Sequence, residues 1–278
     1  MKTKDRIKRF MNRFMNLYMN NRIPMSSAAL SYYLTMTFFP LVICLYTLLG
    51  NSYEKALKVV GFIETVMPER TVEMLKSFLD YVSANYSVLM MVFALSVILI
   101  TSSAAFRSLE NTIGVMQGGR RFDGYAFFVV SIFLSLGFLA TIYMATIVMF
   151  LGENFISFIN GYIKIIQLDN YWRFLRFIIL FGIALVIIVL IYELCKRKED
   201  HYRTFPGALF ATLLLVAVTA FFSMFINASI KYPLVYSSLS AVILLMFWLY
   251  CCCLVIYCGA VFNIARRDIR NEEETTKD

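Results

Sequence analysis

Long apolar runs, broken by short polar stretches, organise the 278-residue chain. Six stand out, at 28–50, 88–106, 125–151, 174–194, 207–227 and 235–264. About 20 apolar residues at roughly 1.5 Å rise each cross a hydrocarbon core of about 30 Å, so each run predicts a transmembrane helix. None alternates polar and apolar residues as a barrel strand does, and a segment in lipid must satisfy its own backbone hydrogen bonds. The expected fold is therefore all-α, a six-transmembrane-helix bundle. It forms a single membrane domain over 25–267, preceded by an arm, 1–24, and followed by a charged tail, 268–278.

The polar stretches carry patterns of their own. In the arm, Ile7, Phe10, Met11, Phe14, Leu17 and Tyr18 recur at helical spacing, with Lys4, Lys8, Arg9, Asn12, Arg13 and Asn16 elsewhere on the wheel. This predicts a basic amphipathic helix lying in the membrane interface, as an anchor, a lateral gate or a partner contact. Between the first two runs, Leu57, Val60, Ile63 and Val66 form one stripe and Val72, Leu75, Leu79 and Val82 another. Pro68 separates them, because proline fits a first helical turn and not an interior. Two short extracytoplasmic helices are expected there, either capping a cavity or simply packing on the bundle end. The stretch 117–121, Gln-Gly-Gly-Arg-Arg, reads as a flexible turn and lacks the spacing of a phosphate-binding loop. The tail, with Glu272, Glu273 and Glu274, reads as a solvated, partly disordered end.

Composition agrees with a bilayer. Hydrophobic residues make up 60% and charged residues 16%, against about 45–50% and about 25% in soluble domains. Mean hydropathy is +0.71. The first run starts too late, runs too long and lacks the small-residue cleavage pattern of a signal peptide. The net charge is +8, and its distribution gives orientation. Lys2, Lys4, Arg6, Lys8, Arg9, Arg13 and Arg22 precede the first run. Arg107, Arg120 and Arg121 follow the second, Lys196, Arg197, Lys198 and Arg203 the fourth, and Arg266, Arg267, Arg270 and Lys277 the last. The other side carries fewer than half as many. Lys and Arg concentrate on cytoplasmic flanks, so both termini are expected in the cytoplasm, at the cell membrane. The basic balance then suits anionic lipid; no aromatic–basic module for nucleic acid is present.

Several chemistries lack their residues. The one histidine, His201, cannot build a zinc site. The six cysteines, including Cys251, Cys252 and Cys253, match no metal spacing and read as small packing residues, with Cys195 near a membrane end. Glu110, Glu153 and Glu193 fall at the ends of runs, away from a bilayer centre, which argues against an ion-coupled carrier. No nucleophile–base pair is visible, so neither an enzyme nor a metal or other cofactor is expected.

Uncharged polar residues gather instead. The first run holds Ser31, Tyr32, Thr35 and Pro40, with Tyr32, Thr35 and Phe39 able to share a face and Pro40 expected to kink the helix. Ser103, Arg107, Glu110 and Asn111 can align at the end of the second. These two faces either line a wet cavity open to the cytoplasm or bond the helices to each other. Asn227, Tyr232 and Tyr236 crowd the last hairpin. Gly207 and Ala211, with Gly259 and Asn263, offer close helix approach.

These residues carry a resemblance. Ala28, Ala29, Leu30, Ser31, Tyr32 and Tyr33, then Phe39, Pro40 and Leu41, resemble the first-span signature of the YihY/virulence factor BrkB family. Ser103, Phe106, Leu109 and Asn111 resemble its second motif. Pro206, Gly207 and Ala208, then 236–241, Trp248, Leu249 and Tyr250, and Gly259, Ala260, Val261, Phe262 and Asn263, resemble its C-terminal block. Ser237 and Ser240 stand where the family usually has glycine. The resemblance implies a six-span inner-membrane protein, once labelled ribonuclease BN, with links to envelope integrity and virulence. The expected activity is translocation or presentation of a lipid or amphiphilic envelope component, with membrane lipids as partners and Arg107 as a phosphate contact. The alternative is a non-transporting scaffold working with envelope-assembly proteins.

Overall fold

In the computed structural model, the described residues are 3–49, 51–63, 69–119, 129, 131, 168–197, 199–200, 202–229 and 237–275. The described residues form helices and turns, without strands. The helices are α1 (Thr3–Asn20), α2 (Ile23–Leu48), α3 (Tyr53–Ile63), α4 (Glu69–Asn85), α5 (Val88–Gln117), α6 (Leu168–Cys195), α7 (Phe205–Ser229) and α8 (Ser237–Thr275). Four stretches are long and apolar enough to cross a membrane: Ile23–Thr47, Val88–Gln117, Phe205–Phe222 and Val242–Glu274. In α6 the apolar part Phe181–Cys195 is shorter. The expected third span, 125–151, lies outside the described residues apart from 129 and 131.

Local chemistry sets the helix ends, and they differ from the apolar runs. α2 starts five residues before its run, with proline in its first turn, where a missing N–H costs nothing. Ser27 does not interrupt it, because its hydroxyl donates to the Ile23 carbonyl at 2.8 Å. α5 opens on Ser87, whose Oγ accepts the Met90 N–H at 3.1 Å. It closes on Gly118 at φ 79°, with Gly119 N–H donating to the Gly114 carbonyl at 3.0 Å. That left-handed C-cap favours glycine. The helix thus continues eleven residues past the second run and carries Arg107, Glu110 and Asn111 within it. α8 continues to Thr275, so the described part of the tail, 268–275, is helical where a partly disordered end was expected, and its Asp268 and Glu273 pair with Arg13 and Arg6 of the arm. The helix assignment is also continuous across Pro40.

Packing divides the molecule into two ends. α2 and α5 lie along each other, as do α7 and α8, and α2 also packs on α8. At one end, Val72, Leu75, Leu79 and Val82 of α4 are all buried. They meet Ala56 and Val60 of α3, Val42, Ile43, Tyr46 and Leu49 from the end of α2, and Ala94 and Ile98 of α5. Each valine or leucine of the α4 stripe contributes about 1.5–3 kcal/mol when withdrawn from water. A small apolar pocket of about 40 Å³ remains there, between Phe38, Leu45, Tyr46, Val60 and Leu79. At the other end, α1 packs on α8, and the core joins Leu17, Ile23, Leu109, Ile113, Tyr192, Tyr257, Val261 and Ile264. Large apolar side chains such as Leu89, Phe93, Ile100, Phe221 and Phe247 remain exposed, as expected for helices whose surroundings are acyl chains.

Candidate functional site

The first candidate group sits where α2 meets α5. Thr37 Oγ1 and Thr101 Oγ1 lie 2.8 Å apart across that contact. Along α2, Ser27, Ser31, Thr35 and Thr37 are all buried. Each satisfies its hydroxyl on its own helix: Ser31 donates to the Ala28 carbonyl at 2.9 Å, Thr35 to Ser31 at 2.8 Å and Thr37 to Tyr33 at 2.8 Å. Tyr32 does not share their environment. It is 49% exposed, with its ring edge-on to Tyr33, so the expected common face of Tyr32 and Thr35 splits. Pro40 is half-buried.

On α5, Ser103 is buried, and its Oγ has no hydrogen-bond partner among the described residues. Arg107 is half-buried, Glu110 is fully buried and Asn111 is exposed. Two adjacent residues point about 100° apart on a helix, which separates Glu110 from Asn111. Glu110 thus lies in the later turns of α5, past the apolar run, yet its side chain is withdrawn into the bundle. It occupies the interior because α5 runs on past it and the core residues Leu109 and Ile113 flank it.

The second candidate group, in the last hairpin, falls outside the described side chains. Asn227 falls in the last turn of α7, where its side chain is outside the description, and Tyr232 and Tyr236 lie outside the described residues. Asn263 is at the opposite end of the bundle. Its Oδ1 accepts the Gly207 N–H at 2.8 Å, and its Nδ2 donates to the Thr204 carbonyl at 2.8 Å. The first N–H groups of a helix have no partner within it, so this one side chain closes the start of α7 against α8. The backbones are correspondingly close. A Cβ on Gly207 would run into Gly259 O and Asn263, and one on Gly259 would meet Gly207 O, Tyr192 and Ala211.

Around Asn263 the structure gathers polar residues that the sequence patterns did not offer as site candidates. Thr204 Oγ1 donates to Glu193 at 2.7 Å, and Lys196 Nζ donates to the same carboxylate at 3.0 Å and to the Tyr202 carbonyl at 3.1 Å. Gln117, at the end of α5, donates to the Tyr202 hydroxyl at 3.0 Å and accepts the Arg197 N–H at 3.0 Å. The Tyr202 ring lies under both Lys196 and Arg267, at 5.4 and 5.7 Å. Burial pushes the Tyr202 phenol upward in pKa, with Arg267 opposing. Arg267 donates to Asp200 at 2.6 Å and to Asp268 at 2.9 and 3.0 Å. Asp268 in turn accepts from Arg13 of α1 at 2.7 and 2.9 Å. A continuous network thus ties α1, α5, α6, the following loop, α7 and α8 at the end rich in Lys and Arg. Only Gly207, Gly259 and Asn263 were visible beforehand, as small or amide residues suited to close approach. The charged members come from α1, α6 and the loop after it, and α8, and nothing in their spacing along the chain marks them as partners of one another. Among the described residues, no group of three or more His, Cys, Asp or Glu is placed to hold a metal ion.

Residues 15–278 match the family model described as Virulence factor BrkB. YfkH of Bacillus subtilis (strain 168), a protein described as ribonuclease-like, is 25% identical over 246 residues, covering 85% of this chain and 87% of that relative. A UPF0761 membrane protein of Pseudoalteromonas translucida (strain TAC 125) is 24% identical over 157 residues, covering 53% of this chain and 48% of that relative. No solved structure matches the chain.

Proposed function

The chain belongs to the virulence factor BrkB family, and from that premise we propose that it is a membrane protein that translocates or presents a lipid or amphiphilic component of the cell envelope. In this reading it is a six-span protein of the inner membrane. Its Lys- and Arg-rich end and both termini lie in the cytoplasm, and α3 and α4 lie on the outer face. The observation that carries the reading is the row of buried, uncharged hydroxyls where α2 meets α5, with Ser103 of α5 nearby keeping an Oγ that has no hydrogen-bond partner among the described residues. A polar headgroup can enter along such a row while its chains remain among the exposed apolar side chains. Arg107, one turn beyond Ser103, supplies a forked donor for a phosphate.

A second reading, a non-transporting scaffold for envelope assembly, has its own support. Ser31, Thr35 and Thr37 already spend their donors on backbone carbonyls, as in helices that use hydroxyls for packing. The name of the Bacillus relative raises nucleolytic chemistry for that protein; a single histidine and the absence of a visible nucleophile–base pair favour a non-enzymatic role here.

Reconstitution separates the two main readings. The purified chain in liposomes of phosphatidylethanolamine and phosphatidylglycerol is expected to move labelled phospholipid between leaflets faster than protein-free liposomes. Ser103→Leu, which replaces the unbonded hydroxyl with a larger apolar side chain, is expected to slow it about tenfold, equivalent to about 1.4 kcal/mol on the barrier. Equal rates with and without protein sink the transport reading and leave the scaffold.

A further inference from the structure

The arm helix α1 is held to the bundle on one face and left apolar on the other. Its inner face is clasped to α8. Phe10 packs edge-on against Phe262, with ring centroids 5.2 Å apart, and Phe262 stacks on Phe210 of α7 at 5.0 Å. Beside this, Arg13 makes a forked pair of bonds to Asp268 at 2.7 and 2.9 Å, and Arg6 reaches Glu273 at 3.1 Å. The pairs Arg13–Asp268 and Arg6–Glu273 run in opposite chain directions, so α1 lies antiparallel to the end of α8.

The outer face shows Ile7, Met11, Met15 and Met19, all more than half exposed. These recur every four residues, and Lys8 lies among them, also exposed. Such a stripe suits the surface of an anionic membrane, where methionines enter the acyl boundary and lysine meets headgroups. The joint between α1 and α2 is two residues long, Asn21 and Arg22. Arg22 adopts φ 49° and ψ 45°, a left-handed conformation that an L side chain rarely takes and that stores strain at hinges.

We propose that α1 is a strap with two positions, hinged at Arg22. In the closed position of this structure it is latched to α8 by Arg13–Asp268 and covers the Phe210–Phe262 side of the α7–α8 pair. In the open position it lies on the inner membrane surface by its Ile7–Met11–Met15–Met19 stripe and leaves that aromatic side open to a lipid chain. Asp268 is shared with Arg267, and Arg267 with Asp200, so the latch also reports on the loop between α6 and α7. What the strap admits rests on the lipid reading above; its movement does not.

The test uses the full chain in nanodiscs of phosphatidylethanolamine and phosphatidylglycerol, with hydrogen exchange read by mass spectrometry. Residues 5–20 are expected to exchange faster than residues 252–264 in the unaltered protein. Arg13→Gln and Asp268→Asn should each speed them about tenfold further, as expected when a charge-assisted latch is lost. Arg13→Lys should recover part of the protection, and unchanged exchange at 252–264 shows that each variant is folded. If residues 5–20 are as protected as 252–264 and no variant moves them, α1 is a fixed helix and the strap is overturned. Lipid movement is measured in parallel in liposomes of the same composition. If α1 opens in the variants and lipid moves no faster than with the unaltered protein, the gating role is overturned. If α1 responds as expected but no form of the protein moves lipid, the transport reading fails and the strap stands.

Discussion

Gly259 shows how little room the basic end leaves. A Cβ there would sit closer than 3.0 Å to Gly207 O and to the Ala211 side chain, whereas one on Gly61 would meet nothing within 4 Å. Gly259→Ala is therefore expected to destabilise the protein by about 1–3 kcal/mol, the usual range for an overpacked core. Gly61→Ala in α3 is expected to be neutral or slightly stabilising, because alanine favours a helix by up to about 1 kcal/mol. Thermal unfolding in detergent compares the two, and equal midpoints would refute the close approach. Tyr202 makes a different prediction. Its folded-state pKa is raised by burial, so the neutral phenol is preferred in the folded protein. The associated stability is fully present below the ordinary tyrosine value of about 10 and declines as pH rises through the raised value. Thermal midpoints should fall between neutral pH and pH values above about 10, and less so in Tyr202→Phe, which no longer titrates. An equal alkaline fall in both proteins would assign the loss to other groups.

At the scale of elements, apolar periodicity located the described helices but not all of their ends. The stripe Val72, Leu75, Leu79 and Val82 was readable because recurrence every three or four residues marks one helical face, and those side chains are indeed buried. Leu75→Ala or Leu79→Ala should cost about 2–5 kcal/mol, the range for deleting a fully buried leucine. The loss should appear as a lower thermal midpoint and earlier exchange of α3 and α4, and a change under about 0.5 kcal/mol, the size of ordinary surface substitutions, would contradict the burial. Helix ends were harder to read. Hydropathy drops at Phe106, but α5 continues to Gln117 because Leu109, Ile113 and Met116 still face the core and Gly118 supplies the stop. α8 outlasts its apolar run for a related reason. Its charged residues find Arg6 and Arg13 on α1, and Ile269 is buried. At about 1.5 Å per residue its 39 residues measure about 58 Å, longer than the whole thickness of a bilayer, about 40–45 Å.

For the whole molecule, the proposed orientation can be checked directly. Single cysteines introduced at Lys55 in α3 and at Arg203 in the loop before α7, both exposed, should react from opposite sides of intact cells. A membrane-impermeant maleimide is expected to label position 55 from outside and position 203 only after permeabilisation. Labelling of both from the same side would overturn the charge-based topology. The mostly uncharged composition of the apolar runs makes the membrane itself the missing solvent, so side chains such as Phe93 and Phe221 are exposed without being a packing fault.

The membrane character, the all-helical class, the amphipathic arm and the polar composition of the first span were all legible in the sequence. Each follows from length, periodicity or local residue chemistry, which act within one segment. The candidate site was only partly legible for the same reason. Ser31 and Thr35 could be placed on α2, but not that their donors are taken up by backbone carbonyls while Tyr32 stays exposed. Glu110 could be placed near the end of a run, but burial depends on which helices surround it. The network through Gln117, Tyr202, Asn263, Arg267, Asp268 and Arg13 joins residues up to 255 positions apart. No local pattern encodes such a meeting. Only the packing of α7 on α8 at Gly207 and Gly259, and of α1 along α8, brings these groups within bonding distance.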